Sequence, residues 1–336
     1  KLAVADVEMK LDVGVRRFRE AVESGAHGVS GSIYNPMSAA LNEETKITGT
    51  PYMPGCVPAL DAFKKGNPAP AMMSVAFTPW SIGYLTADAL VNGLGKKTFF
   101  WQIRPDSWGT VTLQGFEDGI KEFGGKIVGV EQLPKGAPDY SAVINKALAA
   151  KPDVFITNMF GGDAVACIKT AYDMGLHKTS MLVNSWTTYE VAMGIPAEAA
   201  EQLYALTYYY YDIGGFSKDL AARGKALRED HMKKYGFPPD AYAVLAYTAV
   251  DILMQATEKA GSVEGKKVGE VLQTATFNTV KGDASFREDH QLQGEYLAFF
   301  VKGKAASKKK NKYDVFEVVG AYGGDKALPP LEKLGY

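Results

Sequence analysis

The chain has 336 residues, of which 46% are hydrophobic and 22% are charged, and its formal net charge is -1 at pH 7. This length exceeds what one compact core usually covers, so two lobes of about 150 residues each are predicted. The charge balance argues against a nucleic-acid partner, because such proteins normally carry a basic excess. No stretch as long as the ~18 residues of a membrane span is continuously apolar.

Short apolar runs alternate with amphipathic segments through the first two hundred residues. Strands are predicted at 2–6, 27–33, 50–54, 97–103, 126–133, 153–159 and 180–184. Helices are predicted after Asp12, after Pro36, through 82–90, and at 108–123, 140–150 and 164–174. This alternation is typical of parallel sheets covered by helices on both faces, so the predicted fold class is α/β.

The pattern changes after Leu203. The run 203–213 is too aromatic for a surface helix and favours a strand. Helices are then predicted near 216–235 and 240–260, and the chain ends with an antiparallel pair, EYLAFFVKGK and KYDVFEVVG, around a lysine-rich turn. We interpret Lys308–Lys310 as the solvated tip of that turn rather than as a basic patch.

Sequence motifs for chemistry are missing. The chain has no nucleophile elbow, zinc-protease motif, phosphate-binding loop or dinucleotide fingerprint, and its four histidines are scattered. We therefore predict no catalytic residue, no metal site and no cofactor. The pair Cys56 and Cys167 is compatible with one disulfide, although the helical pattern around Cys167 favours a buried free thiol.

One glycine-rich loop has two interpretations. FGGDAV (160–165) follows a predicted strand and opens a helix, a geometry that can hold an anion on backbone N–H groups. Alternatively, Asp163 is simply the N-cap of that helix.

The order of several segments resembles the periplasmic leucine/isoleucine/valine-binding family, the type I solute-binding proteins of ABC importers. The matching segments are GSIYNPMSAA, TPYMPGCVPAL, RPDSWGTVTLQGFEDGIKEFGGKIV, DYSAVINKALAAKPDVFITNMFGGDAVACIKTAYDMGL, GFPPDAYAVLAYTAVDIL and FNTVKGDASFREDHQLQG. The resemblance covers essentially the whole chain.

This resemblance implies two Rossmann-like lobes with parallel central sheets, joined by a three-crossover hinge. Lobe 1 would comprise 1–78 and 212–292, with the family's opening strand and helix lying before residue 1, and lobe 2 would comprise 79–211 and 293–336. It also implies a monomer in the periplasm, or a lipid-anchored protein outside the cytoplasm of a Gram-positive cell. Its partners would be a small-molecule ligand and a membrane permease.

Ligands of open α/β sheets bind at the carboxyl ends of the strands. The predicted ligand-binding residues are Tyr34, Asn35, Cys56, Val57, Phe77, Trp108, Phe160, Gly161, Asp163, Ser185, Trp186, Tyr210 and Tyr211. Each aromatic residue taken singly is also compatible with a core position, but several on loops at one sheet edge favour a ligand site.

The chain departs from the family where an amino-acid ligand is held. Tyr34-Asn35 stands where relatives have a serine, Cys56-Val57-Pro58 where they have a threonine, and Ser185-Trp186 where they have a glutamate for the ammonium group. A buried ammonium without a carboxylate partner is costly. We therefore predict a small apolar carboxylate ligand that carries an aromatic ring and whose acid group binds Asn35 and the start of the helix near Pro36.

Alternatives remain open. Asp163 and Glu190 could replace the missing glutamate, which would restore an amino-acid ligand. A ligand-sensing regulator on the same fold and an enzyme with an unrecognised site are the other function classes.

Overall fold

The structure is a computed structural model that describes residues 1–55 and 60–336. The elements up to the seventh strand are α1 (Leu11–Glu23), β1 (Val29–Gly31), α2 (Asn35–Thr48), β2 (Tyr52–Pro54), α3 (Pro79–Asp88), β3 (Thr98–Ile103), α4 (Ser107–Phe123), β4 (Lys126–Gln132), α5 (Ser141–Ala150), β5 (Val154–Thr157), α6 (Gly161–Asp173), β6 (Met181–Asn184), α7 (Tyr189–Met193), α8 (Ala197–Glu201) and β7 (Leu203–Thr207). They are followed by α9 (Lys218–Arg223), α10 (Lys225–Tyr235), α11 (Ala241–Ala260), α12 (Gly265–Thr274), β8 (Phe277–Thr279), β9 (Gly282–Phe286), β10 (Leu292–Gly294), β11 (Ala298–Gly303) and β12 (Phe316–Tyr322).

The α/β class predicted from the sequence is confirmed, and most predicted elements are present within a few residues of their expected bounds. Residues 2–6 are an exception, because they were predicted as a strand and form none. Leu2 and Val4 are exposed there. A strand needs a neighbour for its backbone donors and acceptors, and this segment pairs with none of the described strands.

The chain divides into two compact units. Unit 1 comprises residues 1–78, 242–295 and 323–336, and unit 2 comprises residues 79–241 and 296–322. The boundary after residue 78 coincides with the predicted end of the first lobe segment.

Three segments lie in a different unit from the one predicted, and the shortest is residues 293–295, which belong to unit 1. Residues 212–241 belong to unit 2, where the hydroxyl of Tyr189 donates to the carbonyl of Pro238 at 3.0 Å. Residues 323–336 belong to unit 1, where Leu334 is part of the hydrophobic core. These contacts join residues distant in sequence, which explains why local patterning did not locate them.

Unit 2 is built on a seven-stranded sheet with the order β12-β11-β7-β6-β5-β3-β4. The strands β3 to β7 run parallel, whereas β11 is antiparallel to β7 and β12 is antiparallel to β11. All four residues of β5 are buried, as expected for a parallel strand covered on both faces. The aligned residues Gln102, Thr157 and Asn184 mark the carboxyl ends of β3, β5 and β6.

Unit 1 contains a parallel pair, β1 and β2, and an antiparallel sheet of order β10-β9-β8. Its core contains the buried side chains of Phe18, Met37, Leu41, Tyr52, Phe63, Ala69, Met72 and Leu334. The α1 helix contributes Phe18 and α2 contributes Met37 and Leu41, so apolar stripes of both helices face this core.

The aromatic run after β7 was predicted as a strand through residue 213, but the strand ends at Thr207. Thr207 Oγ1 donates to the carbonyl of Thr187 at 2.9 Å, and residues 208–213 pair with none of the described strands. The long helix predicted near 216–235 is likewise divided at Gly224 into α9 and α10.

Candidate functional site

The carboxyl edge of the unit 2 sheet carries six of the thirteen residues predicted to bind ligand. Because β3, β5 and β6 are parallel and aligned, the residues that follow them lie along one edge. Six predicted site residues fall on the loops and helix starts at this edge: Trp108, Phe160, Gly161, Asp163, Ser185 and Trp186.

Trp108 and Phe160 form the aromatic part of the edge. Their ring centroids lie 6.0 Å apart and the ring planes meet at 84°, an edge-to-face contact. The indole Nε1 of Trp108 donates to the carbonyl of Asn158 at 2.9 Å, which fixes the ring in the first turn of α4. Phe160 is 38% exposed although it is large and apolar. The pair therefore presents aromatic surface at the ends of the strands.

Arg104 is a site residue that the sequence reasoning missed. It follows β3 directly, its side chain is 16% exposed, and its guanidinium carbon lies 5.0 Å from the centroid of the Phe160 ring. The side chain binds Asp106, and the backbone N–H of Arg104 donates to Asn158 Oδ1 at 3.2 Å. The available signal was a charged residue directly after the apolar strand KTFFWQI.

Asp106 and Gly109 position this arginine. Asp106 is the N-cap of α4, and its Oδ1 accepts the backbone N–H of Gly109 at 3.2 Å. A Cβ atom on Gly109 would lie 2.0 Å from the carbonyl oxygen of Arg104. Only glycine therefore allows the first turn of α4 to approach the end of β3 this closely.

Asp163 does not cap its own helix by a side-chain bond. Phe160 is the N-cap residue of α6, and Asp163 Oδ2 instead accepts the backbone N–H of Gly136 at 2.9 Å. The carboxylate thus ties the loop after β4 to α6. Gly161, the first residue of α6, is exposed, and so is Glu190 in the first turn of α7.

Ser185 and Trp186 follow β6 and are both buried, with Trp186 2% exposed. The backbone N–H of Ser185 donates to the carbonyl of Thr157 at 3.0 Å, which extends the ladder by one residue. Among the described residues, Ser185 Oγ has no hydrogen-bond partner.

Tyr210 and Tyr211 are buried and their hydroxyls contact the turn between β11 and β12. Tyr210 Oη accepts the backbone N–H of Phe316 at 3.1 Å and also lies 3.4 Å from Asp314 Oδ1. Tyr211 Oη lies 3.3 Å from Asn311 Oδ1. These contacts connect the tyrosine run to a turn about one hundred residues later in unit 2.

The predicted residues of unit 1 are described separately. Tyr34 is the N-cap residue of α2 and Asn35 is its first residue, both partly exposed, whereas Phe77 is buried. Cys56 and Val57 lie outside the described residues. The other cysteine, Cys167, is a free buried thiol in α6, and burial raises its pKa to about 12.

The described part of the chain contains neither a cluster of metal ligands nor a membrane-spanning helix. No group of histidine, cysteine, aspartate or glutamate residues within 1–55 and 60–336 could hold a metal ion. Over the same residues, none of the helices combines the length and the apolar character needed to cross a bilayer.

A family model described as periplasmic binding protein matches residues 1–309. The chain belongs to the periplasmic binding protein family. The leucine-, isoleucine-, valine-, threonine- and alanine-binding protein of Pseudomonas aeruginosa is 24% identical to this periplasmic binding protein over 193 residues, 57% of this chain and 50% of the relative. The chain thus spans about half the length of the curated relatives it matches.

Solved structures share the fold of this periplasmic binding protein. The amino acid ABC transporter substrate-binding protein of Pseudomonas fluorescens Pf-5 superimposes with a TM-score of 0.89 at 21% identity, over 99% of this chain and 87% of that chain. A solute-binding protein of an ABC transporter from Rhodopseudomonas palustris BisB5, in complex with 3,4-dihydroxybenzoic acid, superimposes with a TM-score of 0.81 at 16% identity. The match covers 99% of this chain and 88% of that chain. These relatives and neighbours are binding proteins and not enzymes, which confirms the prediction of a non-enzyme.

Proposed function

We propose that this periplasmic binding protein is the solute-binding component of an ABC importer and captures a small apolar carboxylate that carries an aromatic ring. The observation that carries this proposal is the contact of Trp108 with the partly exposed Phe160 at the carboxyl edge of the unit 2 sheet. Offset or edge-to-face contact with a ligand ring contributes about 0.5–1.5 kcal/mol beyond the burial of its area.

The polar groups near these rings favour an acid over an amino acid. Asp106 binds Arg104 and Asp163 binds the Gly136 backbone, so these carboxylates already accept hydrogen bonds. An ammonium group would have to compete for them, whereas a carboxylate finds the Arg104 cation. The dihydroxybenzoic acid held by the Rhodopseudomonas protein supports an aromatic acid as a ligand class for this fold.

The importer role rests on the family. A member of it would deliver its ligand to a membrane permease outside the cytoplasm, in the periplasm or at a lipid anchor, and would act as a monomer. Within unit 2 we propose Ser185, Trp186, Tyr210 and Tyr211 as further ligand contacts. In unit 1 the predicted ligand-binding residues stay predictions: Tyr34, Asn35, Cys56, Val57 and Phe77.

An amino-acid ligand is the second candidate, and the name of the Pseudomonas aeruginosa relative favours it. In that case Asp163 or Glu190 would take the ammonium group. Glu190 is exposed on α7, and Asp163 would have to give up its bond to Gly136 or share it.

Isothermal titration calorimetry with benzoate, cinnamate, leucine and valine tests the proposal. We expect the aromatic acids to bind at least ~10-fold more tightly than the amino acids, a difference of ~1.4 kcal/mol. Tighter binding of leucine than of any aromatic acid would reject the acid and favour the second candidate.

Variants of the exposed ring refine this test. Phe160→Ala removes a side chain that is 38% exposed, so it should weaken binding of the aromatic acid with little cost to folding. Phe216→Ala is a matched control, because Phe216 is 41% exposed and also lies in unit 2. Trp186→Ala is a less direct test, since Trp186 is buried and its removal would leave a cavity costing about 3–5 kcal/mol.

A further inference from the structure

Three polar side chains follow three adjacent strands of unit 2. Arg104 comes after β3, Asn158 after β5 and Ser185 after β6, and these strands are neighbours in the sheet. The N–H of Arg104 donates to Asn158 Oδ1 at 3.2 Å. The N–H groups of Asn158 and Ser185 donate to the carbonyls of Gln102 and Thr157 on the adjacent strands, each at 3.0 Å, so both residues extend the sheet by one position. The three residues therefore form one row along the carboxyl edge.

Each member of the row has a buried polar atom that the described residues leave unpartnered. These atoms are Nε of Arg104, Nδ2 of Asn158 and Oγ of Ser185. Asn158 is 1% exposed and Ser185 is fully buried. Buried polar atoms in folded proteins are nearly always hydrogen-bonded, so three such atoms in adjacent positions require a common explanation.

The chemistry of these atoms selects the charge of a ligand. Nε of arginine and Nδ2 of asparagine are donors only, and a serine hydroxyl can donate as well. The assignment of the Asn158 amide follows from its Oδ1, which accepts the Arg104 N–H and leaves the NH₂ group as the other end. An ionised carboxylate accepts hydrogen bonds at both oxygens and can therefore pair with these donors. An ammonium group only donates, so it would leave the three atoms without an acceptor.

Asp106 does not neutralise this row completely. Asp106 accepts from the Nη2 atom of Arg104. The Nε atom of the planar guanidinium therefore remains available to a ligand. Asp106 also caps α4 and is 41% exposed, so part of its charge is screened by solvent. The guanidinium lies over Phe160, which places the cation beside the ring proposed to contact the ligand.

We propose that Arg104, Asn158 and Ser185 form a carboxylate-binding subsite within unit 2 that holds the acid group of the ligand. This inference rests on the proposed function and refines it, because it moves the anchor of the acid from the start of α2 in unit 1 to the row in unit 2. The acid should then be attached close to the ring, since one guanidinium contacts Phe160 and reaches the carboxylate.

Calorimetry with benzoate and benzamide as probes tests the subsite. Benzamide keeps the ring and the shape but lacks the charge. We expect Arg104→Gln to weaken benzoate binding on the order of 100-fold and to change benzamide binding less than ~3-fold, since a bond to a charged group is much stronger than a bond to a neutral one. Arg104→Lys should recover part of the benzoate affinity, because it restores the charge without the planar fork.

A second variant does not depend on the arginine. Ser185→Ala removes a hydroxyl that makes no bond within the described chain, so folding should be unchanged while benzoate binds ~5–10-fold more weakly. Arg19→Gln is the matched control, because Arg19 is an arginine with a carboxylate partner, Glu44, in unit 1. It should leave benzoate affinity unchanged.

The outcomes separate the two proposals. Unchanged benzoate affinity in both Arg104→Gln and Ser185→Ala would overturn the subsite and leave the proposed aromatic-acid function standing. Equal losses for benzoate and benzamide would also overturn it, since they would indicate a structural role. Absence of benzoate and cinnamate binding to the unaltered protein would overturn both.

Discussion

Arg287 and Asp289 form a two-point ion pair inside unit 1, with Nε to Oδ1 at 3.0 Å and Nη2 to Oδ2 at 2.6 Å. Asp289 is fully buried and the Arg287 side chain is 8% exposed. Arg287 also donates to Asp325 Oδ1 at 2.9 Å and to the carbonyl of Pro329 at 2.7 Å. The Arg287 side chain thus connects the C-terminal segment 323–336 to the rest of unit 1.

We expect Arg287→Met to lower the free energy of unfolding of unit 1 by about 3–5 kcal/mol, because it leaves a buried carboxylate without its cation. Urea unfolding followed by circular dichroism measures this. The double variant Arg287→Met with Asp289→Leu should recover much of the loss, since it removes both charges. Arg17→Met is the control: its pair with Glu20 is exposed and should cost less than about 1 kcal/mol.

Stability should depend on pH through Glu44. The hydrogen bonds from Arg19 lower the pKa of Glu44 below its ordinary value of 4.5. A carboxyl whose pKa is lower in the folded state stabilises the fold above its unfolded pKa, and this contribution is lost as the pH falls through the folded pKa. We therefore expect the stability difference between the unaltered protein and Glu44→Gln to be full at pH 7 and to shrink below pH 4.5. Denaturant unfolding at several pH values tests this, and a difference independent of pH would contradict it.

The hydroxyl of Tyr210 should stabilise unit 2. Burial raises the pKa of Tyr210 well above its ordinary value, so the neutral hydroxyl can accept from the Phe316 N–H. Tyr210→Phe leaves that backbone group unpaired, and we expect a loss of about 1–3 kcal/mol. Tyr235→Phe, at a tyrosine that is 52% exposed, should change stability little in the same thermal unfolding experiment.

Two glycine substitutions should have opposite effects. Gly109→Ala places a Cβ atom 2.0 Å from the Arg104 carbonyl oxygen, so we expect destabilisation of about 1–3 kcal/mol or more. At Gly162, in the first turn of α6, an added Cβ meets no described atom within 4 Å. Gly162→Ala should therefore be neutral or stabilise the helix by up to about 1 kcal/mol. Equal melting temperatures for the two variants would argue against the close approach at Gly109.

The sequence predicted well what depends on local periodicity. The alternation of apolar runs and amphipathic segments identified β3 to β6 and the helices between them. Parallel strands end at one edge, so the neighbourhood of Trp108 and Phe160 followed from the order of elements alone.

Contacts between distant segments were beyond that reasoning. The role of Arg104 depends on its neighbours Asn158 and Phe160, more than fifty residues away. The tyrosine run was predicted as a longer strand because aromatic residues favour strands, but its hydroxyls bond to a turn about one hundred residues later. The position of Asp163 made it a possible helix cap, but its carboxylate instead accepts a hydrogen bond from the backbone N–H of Gly136, which is distant in sequence.

The pairing of β7 with β11 has a consequence for how the protein is made. Lys302 lies opposite Tyr204, so strand β7 gains its antiparallel neighbour only after nearly one hundred further residues, many of them part of unit 1, have been synthesised. During translation the edge of β7 is therefore an unprotected template for pairing with other chains. We expect nascent chains stalled before residue 296 to be captured by chaperones and cleaved by proteases far more readily than chains stalled after residue 322.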